Sequence, residues 1–495
     1  MSPTASVTVP VREGHLRGRR VAEGGVFLGI PYAAPPVGEG RWRPPQPVAP
    51  WRGVRDALAF GPDFPQASNP RFRACRQDED CLYLNVWTPA LGSEAALPVL
   101  VWLHGGGFTG GSGSDLRSDG ERLAREGAVV VTLNYRSGLF GFMAHPALSR
   151  ESEHGVSGNY GLLDQMAALR WVRENIAAFG GDPGRITAFG VSAGSASISL
   201  LLAAPAARGL FDQAILHSPG AARPLATLRD GERAGLALGE DLAALRALPA
   251  SQVLARTALL NPAVRGLTTP RVLRPIRDGW LLPEDERPAF QGGRMHAMPL
   301  IVGSNLDEGT LLTRSWPVDT LAAWREQVRS NFAGHENEAM ALYPASSDVE
   351  ARPAVAAMFA DTQFNYGTRL LAQCMSPLAP RTFKYLYTRR RPRQADGPHH
   401  GEEMAHAFGN VAAAPPGETA DFDGTDEALS AVMRKAWVAF AATGDPNTAG
   451  VPRWDAYRAG DDNHLVLGDE VRPGAAWRQP QLDFLERFYT GAGSS

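Results

Sequence analysis

The sequence predicts an α/β architecture: a central, mostly parallel twisted sheet with helices packed on both of its faces. Three observations carry this. Strand and helix patterns alternate from residue 97 to residue 217, giving four strands separated by three helices, and such alternation builds a parallel sheet through crossover helices. Residues 97–103 (LPVLVWL) and 128–135 (AVVVTLNY) are continuous apolar runs, the pattern of strands covered on both faces. Finally, Gly190-Val191-Ser192-Ala193-Gly194 stands between a short apolar strand, 185–189, and a run of small residues that opens a helix. A G-x-S-x-G pentapeptide therefore falls on a strand-to-helix turn.

The elements follow in order. Residues 6–11 alternate, and 19–30 are apolar with Gly24, Gly25 and Gly29, which reads as small antiparallel strands joined by turns. Residues 31–51 are too proline-dense for a helix or an interior strand. Tyr32, Trp42 and Trp51 give that stretch apolar anchors, so an ordered surface loop is expected. Residues 79–87 (EDCLYLNVW) read as a strand. A short helix over 119–126 is stopped by Gly127. Over 160–179 the residues Leu162, Met166, Leu169, Val172, Ile176 and Phe179 recur at intervals of three and four, one apolar stripe of a helix ended by Gly180 and Gly181. Residues 211–217, 298–303, 382–387 and 464–467 read as further strands, and 321–342, 354–371, 427–442 and 481–489 as helices.

Composition excludes several classes. The 495 residues are 44% hydrophobic and 20% charged, with a formal net charge of -3, which gives no electrostatic footprint for nucleic acid or an anionic membrane. No apolar run reaches the ~18 residues of a membrane span. Three cysteines, Cys75, Cys81 and Cys374, do not make a disulfide framework. Residues 1–14 lack a charged segment followed by an apolar one, so no signal peptide is read and a cytoplasmic location is expected. No histidine, cysteine and carboxylate spacing suits a metal, and no cofactor is expected.

The chemistry gathers around Ser192. A serine on a sharp turn needs almost no side chain two residues to either side, which Gly190 and Gly194 provide. The N–H of Ala193 then faces the same space at a helix start. The strand at 97–103 ends in His104-Gly105-Gly106-Gly107-Phe108, where bare glycine amides can approach a ligand as an oxyanion loop. Further on, Asp307 and Glu308 follow one strand, and His399 and His400 follow the loop after another. From spacing alone, either member of each pair could serve as acid or base.

These blocks resemble the type-B carboxylesterases, the branch of the α/β-hydrolase fold that includes cholinesterases and bacterial para-nitrobenzyl esterases. The similarity runs through FLGIPYAAPPVG, EDCLYLNVW, VWLHGGGF, VVVTLNYR, NYGLLDQMAALRWVRENIAAFGGDP, GVSAG, SNLDEG, HHGEEMAHAFG and TGDPN. The resemblance implies a single domain over 1–495, with excursions at about 221–298 and 312–380 covering the active-site end. It implies Ser192 as nucleophile, Glu308 as triad acid and His400 as general base. Gly106, Gly107 and Ala193 would donate to the oxyanion, and Ser218 and Glu403 would support His400 and Glu308. Arg41 with Glu79, and Arg136 with Asp164, would be structural ion pairs. The implied partner is a small-molecule ester, and a monomer or small homo-oligomer is expected.

Departures from that family shape the expected substrate. Val191 stands where Glu is common, which removes a negative charge beside the serine. Leu311 and Leu312 stand where cholinesterases carry aromatics, so cation–π recognition of a quaternary ammonium is lost. With Phe108 these residues form the expected pocket, and neutral short- to medium-chain esters are the expected substrates. Phe64-Pro65-Gln66 replaces the usual cysteine context upstream, leaving Cys81 without its family partner, and Pro219 replaces a glycine after Ser218. Two alternatives stay open: hydrolysis of thioesters, carbamates or amides, and a non-catalytic binding role.

Overall fold

The computed structural model describes residues 6–74, 76–260, 264, 266–415, 417 and 419–491. Its strands are β1 (Ser6–Val11), β2 (Gly14–Val21), β3 (Gly24–Pro31), β4 (Val54–Asp56), β5 (Tyr83–Thr88), β6 (Leu97–Leu103), β7 (Val129–Leu133), β8 (Gly181–Val191), β9 (Gln213–His217), β10 (Leu300–Asn305), β11 (Thr382–Tyr387), β12 (His464–Leu467) and β13 (Val471–Gly474). They form one sheet in the order β1-β2-β3-β5-β7-β6-β8-β9-β10-β11-β12-β13, with β4 beside β2. Every pairing from β7 across to β12 is parallel; the run β1-β2-β3-β5-β7 and the pair β12-β13 are antiparallel, and β4 lies parallel to β2. This is the α/β-hydrolase fold.

The apolar runs explain why the middle of the sheet is covered twice. Successive side chains of a strand point to opposite faces. Val99, Val101 and Leu103 of β6 join a layer that includes Leu162, Leu169 and Val172 of the helix Tyr160–Asn175. Leu100 and Trp102 join the other layer, with Met433, Trp437 and Phe440 of the helix Gly424–Thr443. An alternating strand could not have served both layers.

The helix expected over 160–179 runs as Tyr160–Asn175 and tightens into a 3-10 turn, Ile176–Phe179, ended by Gly180 at φ 82°. The one expected over 321–342 is two helices, Leu321–Asn331 and Glu336–Leu342, broken beside Gly334 at φ 80°. Residues 354–371 lie within a longer helical run that contains a π turn, Asp361–Asn365. That wider turn carries an extra residue per coil and re-aims the side chains on it.

Two ion pairs tie the first third of the chain together. Arg136 bonds Asp164 through Nη2 at 2.7 Å and Nε at 2.8 Å, and Arg41 Nε bonds Glu79 at 2.7 Å. Cys81 is a buried free thiol, and burial pushes its pKa up; Cys75 lies outside the described residues. Among those residues no helix is long and apolar enough to cross a membrane.

Candidate active site

β8 delivers Ser192 at the carboxyl edge of the sheet. Ser192 has φ 56° and ψ -119°, and the helix Ala193–Ala203 begins at the next residue. A non-glycine residue in that region is strained by roughly 1–3 kcal/mol, so packing must hold it. The two glycines of the pentapeptide show how. A Cβ on Gly194 would sit 2.0 Å from the carbonyl oxygen of Leu103, and one on Gly190 2.8 Å from the same atom. The elbow is pressed onto the end of β6. Phe108 at 65° and Ser218 at 50°, two of the other non-glycine residues with positive φ, also stand after neighbouring strands at this edge.

Glu308 and His400 come from the strands on one side. Glu308 follows β10 and is fully buried. Its Oε1 accepts from Ser218 Oγ at 2.5 Å and from the Asn305 N–H at 2.6 Å. Its Oε2 meets His400 Nδ1 at 2.5 Å. The other ring nitrogen of His400, Nε2, is buried without a hydrogen-bond partner among the described residues. The neighbours go elsewhere. Asp307 accepts from the Thr310 N–H, and His399 Nδ1 lies 3.1 Å from Glu402. Glu308 and His400 thus meet each other, while Asp307 and His399 bond to other groups.

Glu403 lies one layer behind. It accepts from Asn305 Nδ2 at 2.5 Å and faces His217 Nδ1 at 3.6 Å. Burial alone would raise this carboxyl, but the pull of His217, the Asn305 amide and His400 holds it below the usual carboxylate range. His217 is itself fixed by Tyr385 and Trp437.

The glycine loop meets the elbow from the other side. A Cβ on Gly105 would lie 3.0 Å from Ser192 Cβ, and Gly106 turns at φ 121° with no room for one beside Gly110. The N–H groups of Gly106, Gly107 and Ala193 donate no hydrogen bond to other described residues. Gln66 braces the loop: its Nε2 donates to the Gly111 carbonyl at 2.7 Å, and its Oε1 accepts the Gly111 N–H at 2.8 Å. His104 stacks on Tyr135 with ring centres 4.3 Å apart, and burial lowers its pKa to about 4, so its ring is neutral at pH 7.

The carboxylesterase family model matches residues 5–485. The chain belongs to the carboxylesterase family. It is a carboxylic ester hydrolase. It is 43% identical over 462 residues to the fumonisin B1 esterase of Sphingopyxis macrogoltabida, covering 90% of this chain and 84% of that one. It is 37% identical over 481 residues to the para-nitrobenzyl esterase of Bacillus subtilis (strain 168), covering 94% and 95%. Among solved structures, a PNB esterase superposes with a TM-score of 0.83 at 34% identity, covering 97% of this chain and 99% of that one.

In this carboxylesterase a cavity of about 620 Å³ opens in front of Ser192, Ala193, His400 and Gly105 to Gly107. Phe108, Val191 and Leu312 line it, whereas Leu311 is exposed and outside the lining. Sequence reasoning missed several wall residues: Trp316, Phe359, Gln363 and Phe364, together with Arg223, Arg271 and Arg274. Phe364 lies against the His400 ring, centres 4.3 Å apart. No motif marks these residues, because the π turn and the loop positions that bring them here leave no periodic trace. Gln66 carried a signal, since it stands in the block where the family cysteine was missing.

Proposed function

We propose that this carboxylesterase hydrolyses short- to medium-chain esters through an acyl-enzyme on Ser192. The observation that carries the reading is the Glu308–His400 pair at 2.5 Å. Its outer imidazole nitrogen is buried, without a partner among the described residues, on the cavity that also holds Ser192. His400 Nε2 takes the proton of Ser192 Oγ as the hydroxyl attacks the ester carbonyl. The Glu308 carboxylate keeps the proton on Nδ1 and stabilises the imidazolium without accepting that proton. The N–H groups of Gly106, Gly107 and Ala193 receive the oxyanion. His400 then protonates the leaving alcohol, and water repeats the sequence in reverse to free the acid.

Ser218 and Glu403 act through their neighbours: Ser218 holds Glu308, and Glu403 adds negative charge behind His400. The excursions at about 221–298 and 312–380 serve as the roof of the cavity. A volume near 620 Å³ suits a small molecule. A p-nitrophenyl ester series from acetate to decanoate tests the reading. Highest kcat/KM at short to medium chains is expected. A peak only at long chains, with activation at an oil–water interface, would contradict it.

A further inference from the structure

The glycine loop is gripped from outside by one short stretch of chain, residues 63–66. Asp63 Oδ1 accepts from Ser112 Oγ at 2.5 Å. The Phe64 ring stacks on His104, with ring centres 6.3 Å apart. Gln66 lays its amide on Gly111 and takes both the N–H and the carbonyl of that one residue. The stretch is itself anchored. Gln77 Oε1 accepts the Gln66 N–H at 3.1 Å, and the Asp63 N–H donates to the Arg76 carbonyl at 3.1 Å.

Gly111 is where a hold on this loop counts most. It has φ 120°, and a Cβ there would lie 2.1 Å from His104 Nδ1 and 2.2 Å from the Gly105 carbonyl oxygen. Gly111 thus presses on the start of the loop. The Gly106 carbonyl accepts the N–H groups of Thr109 and Gly110, both at 3.0 Å, and a Cβ on Gly106 would lie 3.0 Å from Gly111 N. The turn that sets Gly106 and Gly107 therefore closes against Gly111. Glycine backbone has wide conformational freedom, so a loop this rich in it needs an outside constraint. A primary amide carries donor and acceptor in one plane. Gln66 is 5% exposed, and it pairs with Gly111 as an adjacent strand would.

We propose that Gln66 is a positioning residue for ester hydrolysis: by pairing with Gly111 it holds the Gly106 and Gly107 N–H groups where the oxyanion forms. The proposal rests on the reading of Ser192 as nucleophile and of this loop as the oxyanion site. In this role Gln66 touches no reacting atom. Its effect belongs to the step in which negative charge develops, so ground-state binding of the ester is left nearly unchanged.

The test uses two variants. Gln66→Met keeps the length of the side chain and loses both bonds. Gln66→Glu keeps an acceptor for the Gly111 N–H and loses the donor to its carbonyl. Active sites are counted first by fluorophosphonate titration, so that unfolded chains drop out of every rate. Per site, kcat for p-nitrophenyl butyrate is expected to fall about 10- to 100-fold in Gln66→Met, with KM within about threefold. The selective readout is inhibition by a trifluoromethyl ketone. Ser192 Oγ adds to its carbonyl carbon, the C=O electron pair moves onto oxygen, and the hydroxyl proton passes to His400 Nε2, so the adduct carries the oxyanion. In each variant its affinity should fall by the same factor as kcat/KM. The matching secondary alcohol fills the cavity without forming an adduct, and it should bind as before. The midpoint of the kcat/KM pH profile should not move, because His400 and Glu308 are untouched.

Unchanged per-site kcat and ketone affinity would overturn the proposal. So would equal losses of ketone and alcohol binding, which would make Gln66 a shaper of the cavity, and so would failure of both variants to fold, which would make it a residue of the fold. All three outcomes leave the serine esterase reading standing. Absence of a ketone adduct in the unaltered enzyme, with no fluorophosphonate labelling of Ser192, would remove both.

Discussion

The carboxyl edge of the parallel sheet and the roof over it are built on different principles. At the edge, backbone decides position. Gly190, Gly194, Gly105 and Gly106 bring main chains so close that a single Cβ would collide, and Ser192 and Ser218 hold strained dihedrals. Over the roof, side chains decide position. Arg223, Arg271 and Gln363 come from separate segments and meet through polar contacts. In the proposed mechanism the edge fixes which bond is broken, and the roof fixes whose bond it is. Variants of the two regions should therefore fail in different ways.

The largest expected effect lies at the edge. Ser192→Ala should lower kcat by at least about 10⁴-fold with the melting temperature little changed, read by ester hydrolysis and thermal unfolding. Gly106→Ala comes next. Its Cβ would be placed 2.0 Å from the Gly110 carbonyl, so the loop must shift and take its amides with it, at roughly a hundredfold or more in kcat. A change at the roof should be milder and selective. Leu312→Phe should move the preferred acyl length, with kcat/KM for hexanoate falling by about tenfold and for acetate by less. A comparable loss across all chain lengths would mean that the roof is coupled to the catalytic groups.

The smallest effect concerns stability. His104 is lowered to about 4 by burial, against the hydrogen bond to the Gly105 carbonyl, and His464 is also lowered to about 4. In the unfolded chain both take protons near pH 6.5. Between pH 6.5 and 4 the unfolded state thus binds more protons than the folded state, and stability is lost as pH falls through that window. His104→Gln should flatten the fall of melting temperature across that window, with roughly 1–3 kcal/mol less stability lost on acidification. An unchanged slope would mean that the His104 ring becomes charged in the folded protein.

The same contrast explains what could be read in the sequence. Strands β6, β11 and β12 match their expected bounds because uninterrupted or alternating apolar residues mark them directly. The elbow and glycine loop were legible because close backbone approach demands glycine at fixed intervals. The choice of His400 over His399 was not legible from spacing, since adjacent residues differ only in which way each ring points. It came from resemblance, and His400 is the ring that meets Glu308. Phe364 and Gln363 were hidden inside a helical pattern that gives no sign of a π turn. Leu311 was expected on the pocket beside Leu312, yet the short helix Thr310–Thr313 turns it outward.

Stoichiometric labelling with a small fluorophosphonate, followed by peptide mapping, addresses the shared arrangement of Ser192, His400 and Glu308 most directly. One phosphonyl group per chain on the peptide holding Ser192, with ester hydrolysis lost in step and the labelling rate reduced at least about 10³-fold in His400→Gln, is the expected result. Labelling at another residue, or hydrolysis that persists once Ser192 is fully blocked, would contradict the account.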